Sequence, residues 1–217
     1  MKVTKLVSQK RDPSRVNVYI DGEFSFGISL DSLAKYNIYV GIELEDDFLS
    51  KVFLHELKKR FLQRSSEYIS RSPRTELQIS RYIKNIIMKK KGVWYSELSK
   101  EEEEKILEHV ISKLKKYGYI DDSHFAEQFI QSRLKSRPRG SGVIMSELIS
   151  KGVSRDIAED KVKELVQDEY ALLCRVYEKK YKDQKITSMD NKKISYLFRK
   201  GFSWDLIEKL INNESEE

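Results

Sequence analysis

One cysteine, three prolines and nine glycines are spread over 217 residues. A lone Cys174 excludes a disulfide framework and any zinc site built from several thiolates. So few prolines and glycines disfavour a turn-rich β-sandwich and favour helices. No apolar run approaches the roughly 20 residues that a membrane-spanning helix needs. The start, MKVTKLVSQK, has no apolar stretch after its basic residues, so it lacks the form of a secretion signal. A soluble cytoplasmic protein with no membrane partner is expected. Catalytic and metal-binding motifs are missing too. The three histidines, His55, His109 and His124, lie far apart, and neither His-Glu-x-x-His nor Cys-x-x-Cys occurs. The one glycine-rich stretch, RGSGV at 139–143, lacks the lysine and the preceding strand of a phosphate-binding loop. Cys174, in YALLCRVYEKKY, reads as a small packing residue rather than a nucleophile. No enzyme, cofactor or metal is expected.

What the chain has in quantity is charge. Charged residues make up 35% and hydrophobic ones 39%, which suits slender helical layers better than one thick core. The net charge is +6, unevenly placed: residues 1–50 carry six Lys and Arg against eight Asp and Glu, leaving 35 against 27 for the remainder. That asymmetry fits a polyanion or an acidic groove meeting the later part, the alternative being an ordinary solvated helical surface.

Two periods divide the chain. In VNVYIDGEFSFGIS, Val16, Val18 and Ile20 and then Phe24, Phe26 and Ile28 alternate about Asp21-Gly22. Alternation around Asp-Gly predicts a hairpin on a type I′ turn. KVTKLVSQ predicts a third strand and LDSLAKYNI a short helix, together a β-rich extension over 1–47 too small to fold alone. From about residue 48 the period is helical: Ile79, Ile83, Ile86 and Ile87 share a face, as do Leu107, Val110, Ile111 and Leu114, and Leu206, Ile207, Leu210 and Ile211. Thr75-x-x-Gln78 and Ser99-x-x-Glu102 have capping-box form, and Ser154 and Ser203 open two further helices.

The helical part repeats. ISKGVSRDIAEDKV (149–162) aligns without gaps to FRKGFSWDLIEKLI (198–211), and SRSPR (70–74) parallels KSRPR (135–139). Lys-Gly followed by Ser predicts a helix ending at Lys, a left-handed Gly and a capped restart. Three stacked units of about three helices are expected, over 48–120, 121–168 and 169–217, the last with an acidic tail.

Asp121-Asp122 precedes an amphipathic run and reads as a helix cap; a hard-cation site would need more oxygen ligands. Tyr119, Phe125 and Phe129 read as packing residues. The basic clusters remain. Residues 68–95 hold seven Lys and Arg against Glu76, residues 131–142 hold four with no acid, and residues 175–200 hold nine against Glu178, Asp183 and Asp190. Arg71, Arg74, Arg133, Arg137 and Arg139 are the first candidates for polyanion or partner contact, since a guanidinium grips phosphate or carboxylate with a fork. Lys179, Lys180, Lys192 and Lys193 come second. Pro73 and Pro138 punctuate helix junctions.

YISRSPRTELQISRYI, KKYGYIDDSHFAEQFIQSRLKSRPRG and ELISKGVSRDIAED resemble, in that order, signature segments of the RecX family of bacterial RecA regulators, with residues 1–45 similar to the extension of its longer members. The third unit departs from the pattern, with KKYKDQKITSMD in place of Arg-Pro-Arg. The resemblance implies a mostly α protein of tandem three-helix units in an elongated curved array. It implies a monomeric, non-enzymatic partner of RecA and of the RecA–DNA filament, with at most weak direct DNA binding. Such a protein limits filament assembly, ATP hydrolysis, strand exchange and coprotease activity in recombination, DNA repair and the SOS response. A different class stays open beside it: a direct DNA-binding protein, because consecutive short helices can imitate helix-turn-helix units.

Overall fold

Asp21 and Gly22 both take positive φ, 50° and 95°, as a type I′ turn requires. The turn joins β2 (Asp12–Ile20) to β3 (Glu23–Ser29), and β1 (Val3–Gln9) pairs with the other edge of β2, giving an antiparallel sheet in the order β1-β2-β3. Register sets Val16 opposite Ile28 and Val18 opposite Phe26, so one face of the sheet is apolar. The computed structural model describes residues 1–10, 12–182 and 184–216. Asp183 and the last residue of the acidic tail, Glu217, lie outside the described residues. Among the described residues the protein is mostly helical: ten helices accompany this sheet.

Two compact units are present. The first comprises Met1–Arg74 and Gln78–Ile120. It holds the sheet, α1 (Leu30–Lys35), α2 (Asp46–Ile69), most of α3 (Glu76–Lys90) and α4 (Lys100–Lys116). The extension shares its core with the helices that follow: Val18, Phe26 and Ile28 are buried in one cluster with Leu57, Phe61, Ile79, Ile83, Ile106 and Leu114. The segment WYSELSKEEEE (94–104) does more than link α3 to α4. The Gly27 amide donates to the Trp94 carbonyl at 3.0 Å and the Ser96 amide to that of Ser25 at 2.8 Å, extending the sheet edge and burying Trp94 and Tyr95. Ser99 closes the predicted capping box with Glu102 at the start of α4.

Beneath the sheet lies a buried carboxylate. Glu56 of α2 accepts from Arg15 Nη2 at 3.2 Å, from the Ser29 amide at 3.0 Å, from Ser29 Oγ at 3.1 Å and from Ser32 Oγ. Burial pushes its carboxyl up, yet the hydrogen bonds from Ser32 and Ser29 and the Arg15 charge outweigh that and hold it below the ordinary value.

The second unit comprises Thr75–Leu77 and the chain from Asp121. Two three-helix sets make it. α5 (Asp122–Ser136), α6 (Ser141–Lys151) and α7 (Arg155–Leu165) enclose Ala126, Ile130, Ile144, Leu148, Ala158 and Val162. α8 (Glu169–Tyr181), α9 (Asn191–Lys200) and α10 (Trp204–Glu216) enclose Leu173, Val176, Tyr177, Leu197, Phe202 and Ile207. Phe125 and Phe129 pack half-buried against the first of these cores. Tyr119 does not pack: it is 54% exposed. Gly118 turns the chain at positive φ after α4 and directs Ile120 inward instead, leaving Tyr119 beside the exposed Tyr117.

The repeated Lys-Gly pairs end helices as the sequence predicts. α6 stops at Lys151 before Gly152 (φ 101°), and α9 at Lys200 before Gly201 (φ 93°). Each turn also receives a neighbour. Thr75 Oγ1 donates to the Lys151 carbonyl at 2.6 Å, and the Gly140 amide donates to that of Lys200 at 2.8 Å. Approach at the second contact is close: a Cβ on Gly140 would stand 2.8 Å from the Phe202 nitrogen and nearer still to the Gly201 carbonyl.

Candidate polyanion-binding cleft

The acidic pair starts two helices. Asp121 caps α5 by accepting from the His124 amide at 2.9 Å. Asp122 accepts from the Glu76 amide at 3.1 Å, at the first turn of α3. Both carboxylates therefore serve orphan backbone donors, as anions at helix N-termini do. No group of three or more His, Cys, Asp or Glu among the described residues is placed to hold a metal ion.

The basic end of the same segment forms a cleft. α5 stops at Ser136; Arg137 adopts φ −138° and Pro138 bars a further helical turn. The non-helical run that follows is anchored by Gly140 on the Lys200 carbonyl, which lays it beside α8 and α9. Arg137, Arg139, Lys179, Lys180 and Lys200 line the resulting cavity of about 350 Å³ with Ser136, Pro138, Val176 and Tyr196, and no carboxylate is among them. Lys180 Nζ stands 3.6 Å from the Tyr196 ring centroid and Lys200 Nζ 5.3 Å, so one phenol ring holds two cations by its π face. Lys200 titrates below the ordinary lysine value, first through burial and then through Arg139, Lys180 and Lys179. Cations gathered in this way repel one another, a repulsion that an oxyanion between them would relieve.

The other candidates fare differently. Arg133 Nε donates to Glu147 Oε2 at 2.7 Å while its guanidinium covers Phe129 at 4.7 Å, so its charge is matched within the protein. Arg139 shares Glu147 more loosely, at 3.6 Å from Oε1. Lys193 is tied to the Lys185 carbonyl at 2.5 Å and lies 3.6 Å from Asp190, a tether at the start of α9. Lys192 lines a second cleft of about 590 Å³ with Lys180 and Arg199. Arg71 and Arg74 belong to the first unit, where Arg71 is exposed and Arg74 lies 4.4 Å over Tyr68. Lys200 and Tyr196 line the cleft although their sequence context alone does not single them out for contact. The lysine was nonetheless marked, as the Lys of the second Lys-Gly repeat.

Three family models match in order. "Regulatory protein RecX N-terminal domain" covers residues 1–45, "RecX, second three-helix domain" 121–161 and "RecX, third three-helix domain" 167–211. A "Regulatory protein RecX" of Clostridium tetani is 30% identical over 97% of this chain and 93% of its own length. The chain belongs to the RecX family. A second RecX, from Bacillus subtilis strain 168, is 28% identical over 94% of this chain and 74% of its own. Among solved structures, a "Crystal structure of regulatory protein RecX" superposes with a TM-score of 0.64 at 24% identity over 98% of both chains. RecX from Lactobacillus salivarius superposes with a TM-score of 0.60 at 20% identity over 75% of this chain and 99% of that one. These two likenesses carry the RecX fold. No helix among the described residues is long and apolar enough to cross a membrane.

Proposed function

We propose that this RecX-family chain binds RecA and the RecA–DNA filament and restrains filament assembly, ATP hydrolysis, strand exchange and coprotease activity. It would act in this way in recombination, DNA repair and the SOS response. The observation that carries the proposal is the cleft of five cations with no carboxylate in its lining. Guanidinium forks and clustered ammoniums at that density recognise carboxylates or phosphates on a partner surface.

A protein partner is favoured over naked DNA by what lies in the same three-helix set. Phe198 and Trp204 are 46% and 44% exposed and stack at 6.1 Å with 8° between their planes. Exposed aromatics of this kind are the anchors of protein interfaces, whereas a nucleic-acid surface is more uniformly basic.

The test is RecA-catalysed, single-strand-dependent ATP hydrolysis at rising amounts of this protein and two DNA concentrations. Action on the filament is expected to inhibit at amounts well below RecA and to be insensitive to added DNA. Inhibition relieved by added DNA would mean competition for the strand. Arg137→Glu with Arg139→Glu is expected to weaken inhibition with helicity unchanged; unaltered inhibition removes both from the contact surface.

A further inference from the structure

The first unit carries a basic surface of a different character. Arg60 and Arg64 sit one turn apart on the same side of α2, and Arg71 and Arg74 follow where the helix ends, about 14 Å beyond Arg60 at the rise of an α-helix. Aromatic rings set two of these guanidiniums. Arg60 stands 3.7 Å from the Trp94 ring centroid and Arg74 4.4 Å from that of Tyr68, with Tyr82 stacked on Tyr68 at 4.1 Å and 11°. A ring beneath a guanidinium holds it in place, and the exposed Arg64 and Arg71 present their N–H groups to solvent.

These cations are poorly matched within the protein. Arg60 Nη1 and Arg74 Nε are buried without a hydrogen-bond partner. Arg60 is lowered to about 9 by burial and by the neighbouring charges of Arg15 and Arg64. Of the nearby carboxylates, Glu56 is committed to Arg15, Ser29 and Ser32, and Asp12 is bound by Ser14. Glu67 meets Arg64 at 3.1 Å, but both side chains are about half exposed, so that pair is worth little. Along α2 the exposed large hydrophobic side chain is Phe48, three turns before Arg60, and beside Trp94 it is Val93, so apolar anchors are isolated rather than gathered at the centre of the stripe. A protein interface needs such anchors at its centre, whereas nucleic-acid surfaces are polar and strongly positive.

We infer that the stripe Arg60–Arg64–Arg71–Arg74, with its guanidiniums set by Trp94 and Tyr68, is a separate binding track for the phosphodiester backbone of a single nucleic-acid strand. Successive cations along one line follow a backbone, and the buried Trp94 places a guanidinium rather than stacking a base, so the track reads phosphates without regard to sequence. The track is distinct from the cleft in the second unit and assigns the two charged surfaces to two kinds of partner.

The test uses the full chain, labelled oligothymidylate and no RecA, so its outcome is independent of the ATPase assay. Arg64→Gln with Arg71→Gln alters exposed side chains and leaves the Arg60–Trp94 stack in place. That variant is expected to bind the strand about tenfold or more weakly at low salt. Its slope of log affinity against log salt should be shallower by about 0.7 for each arginine removed. Arg60→Gln, checked for folding by circular dichroism, is expected to add to the loss. Arg137→Glu with Arg139→Glu is expected to leave strand affinity within about twofold. Unchanged affinity and slope in Arg64→Gln/Arg71→Gln would overturn the inference. So would a poly-glutamate chain that competes for this surface more strongly than an equally charged oligothymidylate.

Discussion

Glu56 shows how one side chain ties the β-rich extension to α2. Replacing it with Gln leaves the Arg15 guanidinium buried beside a weaker acceptor, and breaking a buried ion pair costs about 3–5 kcal/mol. Urea denaturation of Glu56→Gln is expected to show a loss of that order. Because the folded carboxyl titrates below its unfolded value, its stabilisation is complete above the ordinary carboxylate range and lost as pH falls through the folded value. Glu56→Gln is therefore expected to flatten the acid limb of stability against pH, and an unchanged limb would refute this account. A second residue distinguishes the two three-helix sets. Counting from the caps Asp121 and Asp168, Arg133 and Lys180 both stand twelve residues on, yet Arg133 faces Glu147 whereas Lys180 faces Tyr196. Tyr196→Glu would place a carboxylate among the cleft cations. It is expected to raise the titration point of Lys200, read by NMR of its side chain, and to weaken inhibition of RecA. At this scale the sequence was least legible: composition located the basic clusters but not which members Glu147 neutralises, nor that Lys200 joins Arg139 across sixty residues of chain.

Elements were more legible, because their signals are local. Asp21-Gly22 specified a turn, Ser99 and Ser154 specified helix starts, and the Lys-Gly pairs specified helix ends, each through backbone geometry that few other residues satisfy. The pairing of residues 94–96 with β3 is not legible in the sequence, since three residues carry too little alternation to mark a strand. Contact between elements is close where α6 begins on the turn after α9. Gly201→Ala meets both a positive φ and Val143, with its Cβ 2.6 Å from Val143 Cγ2. Gly140→Ala meets the Gly201 backbone itself. Either is expected to lower the thermal midpoint clearly. Gly118→Ala, with positive φ but open space around its Cβ, is expected to cost only the backbone strain of about 1–2 kcal/mol.

For the whole molecule, separate hydrophobic clusters in the two units imply more than one cooperative transition. Calorimetry is expected to resolve two, with Glu56→Gln lowering the transition of the first unit and Gly201→Ala that of the second. A single transition shifted equally by both would contradict this. The repeat rhythm made the three-helix sets visible in advance. The shared core of the extension and the first helices was not, because burial joins residues that no periodic pattern links.

The Lys-Gly carbonyls have an implication for how such chains arise. Within one three-helix set, the turn that accepts a hydrogen bond and the segment that donates the next one lie on either side of a single helix: Gly140 at the head of α6 and Lys151 at its foot. A tandem gene duplication of one set thus copies both halves of a junction at once. The donors differ, a side-chain hydroxyl at Thr75 and a backbone amide at Gly140, so what a copied set has to keep is the accepting Lys-Gly turn, while the donating segment is free to change.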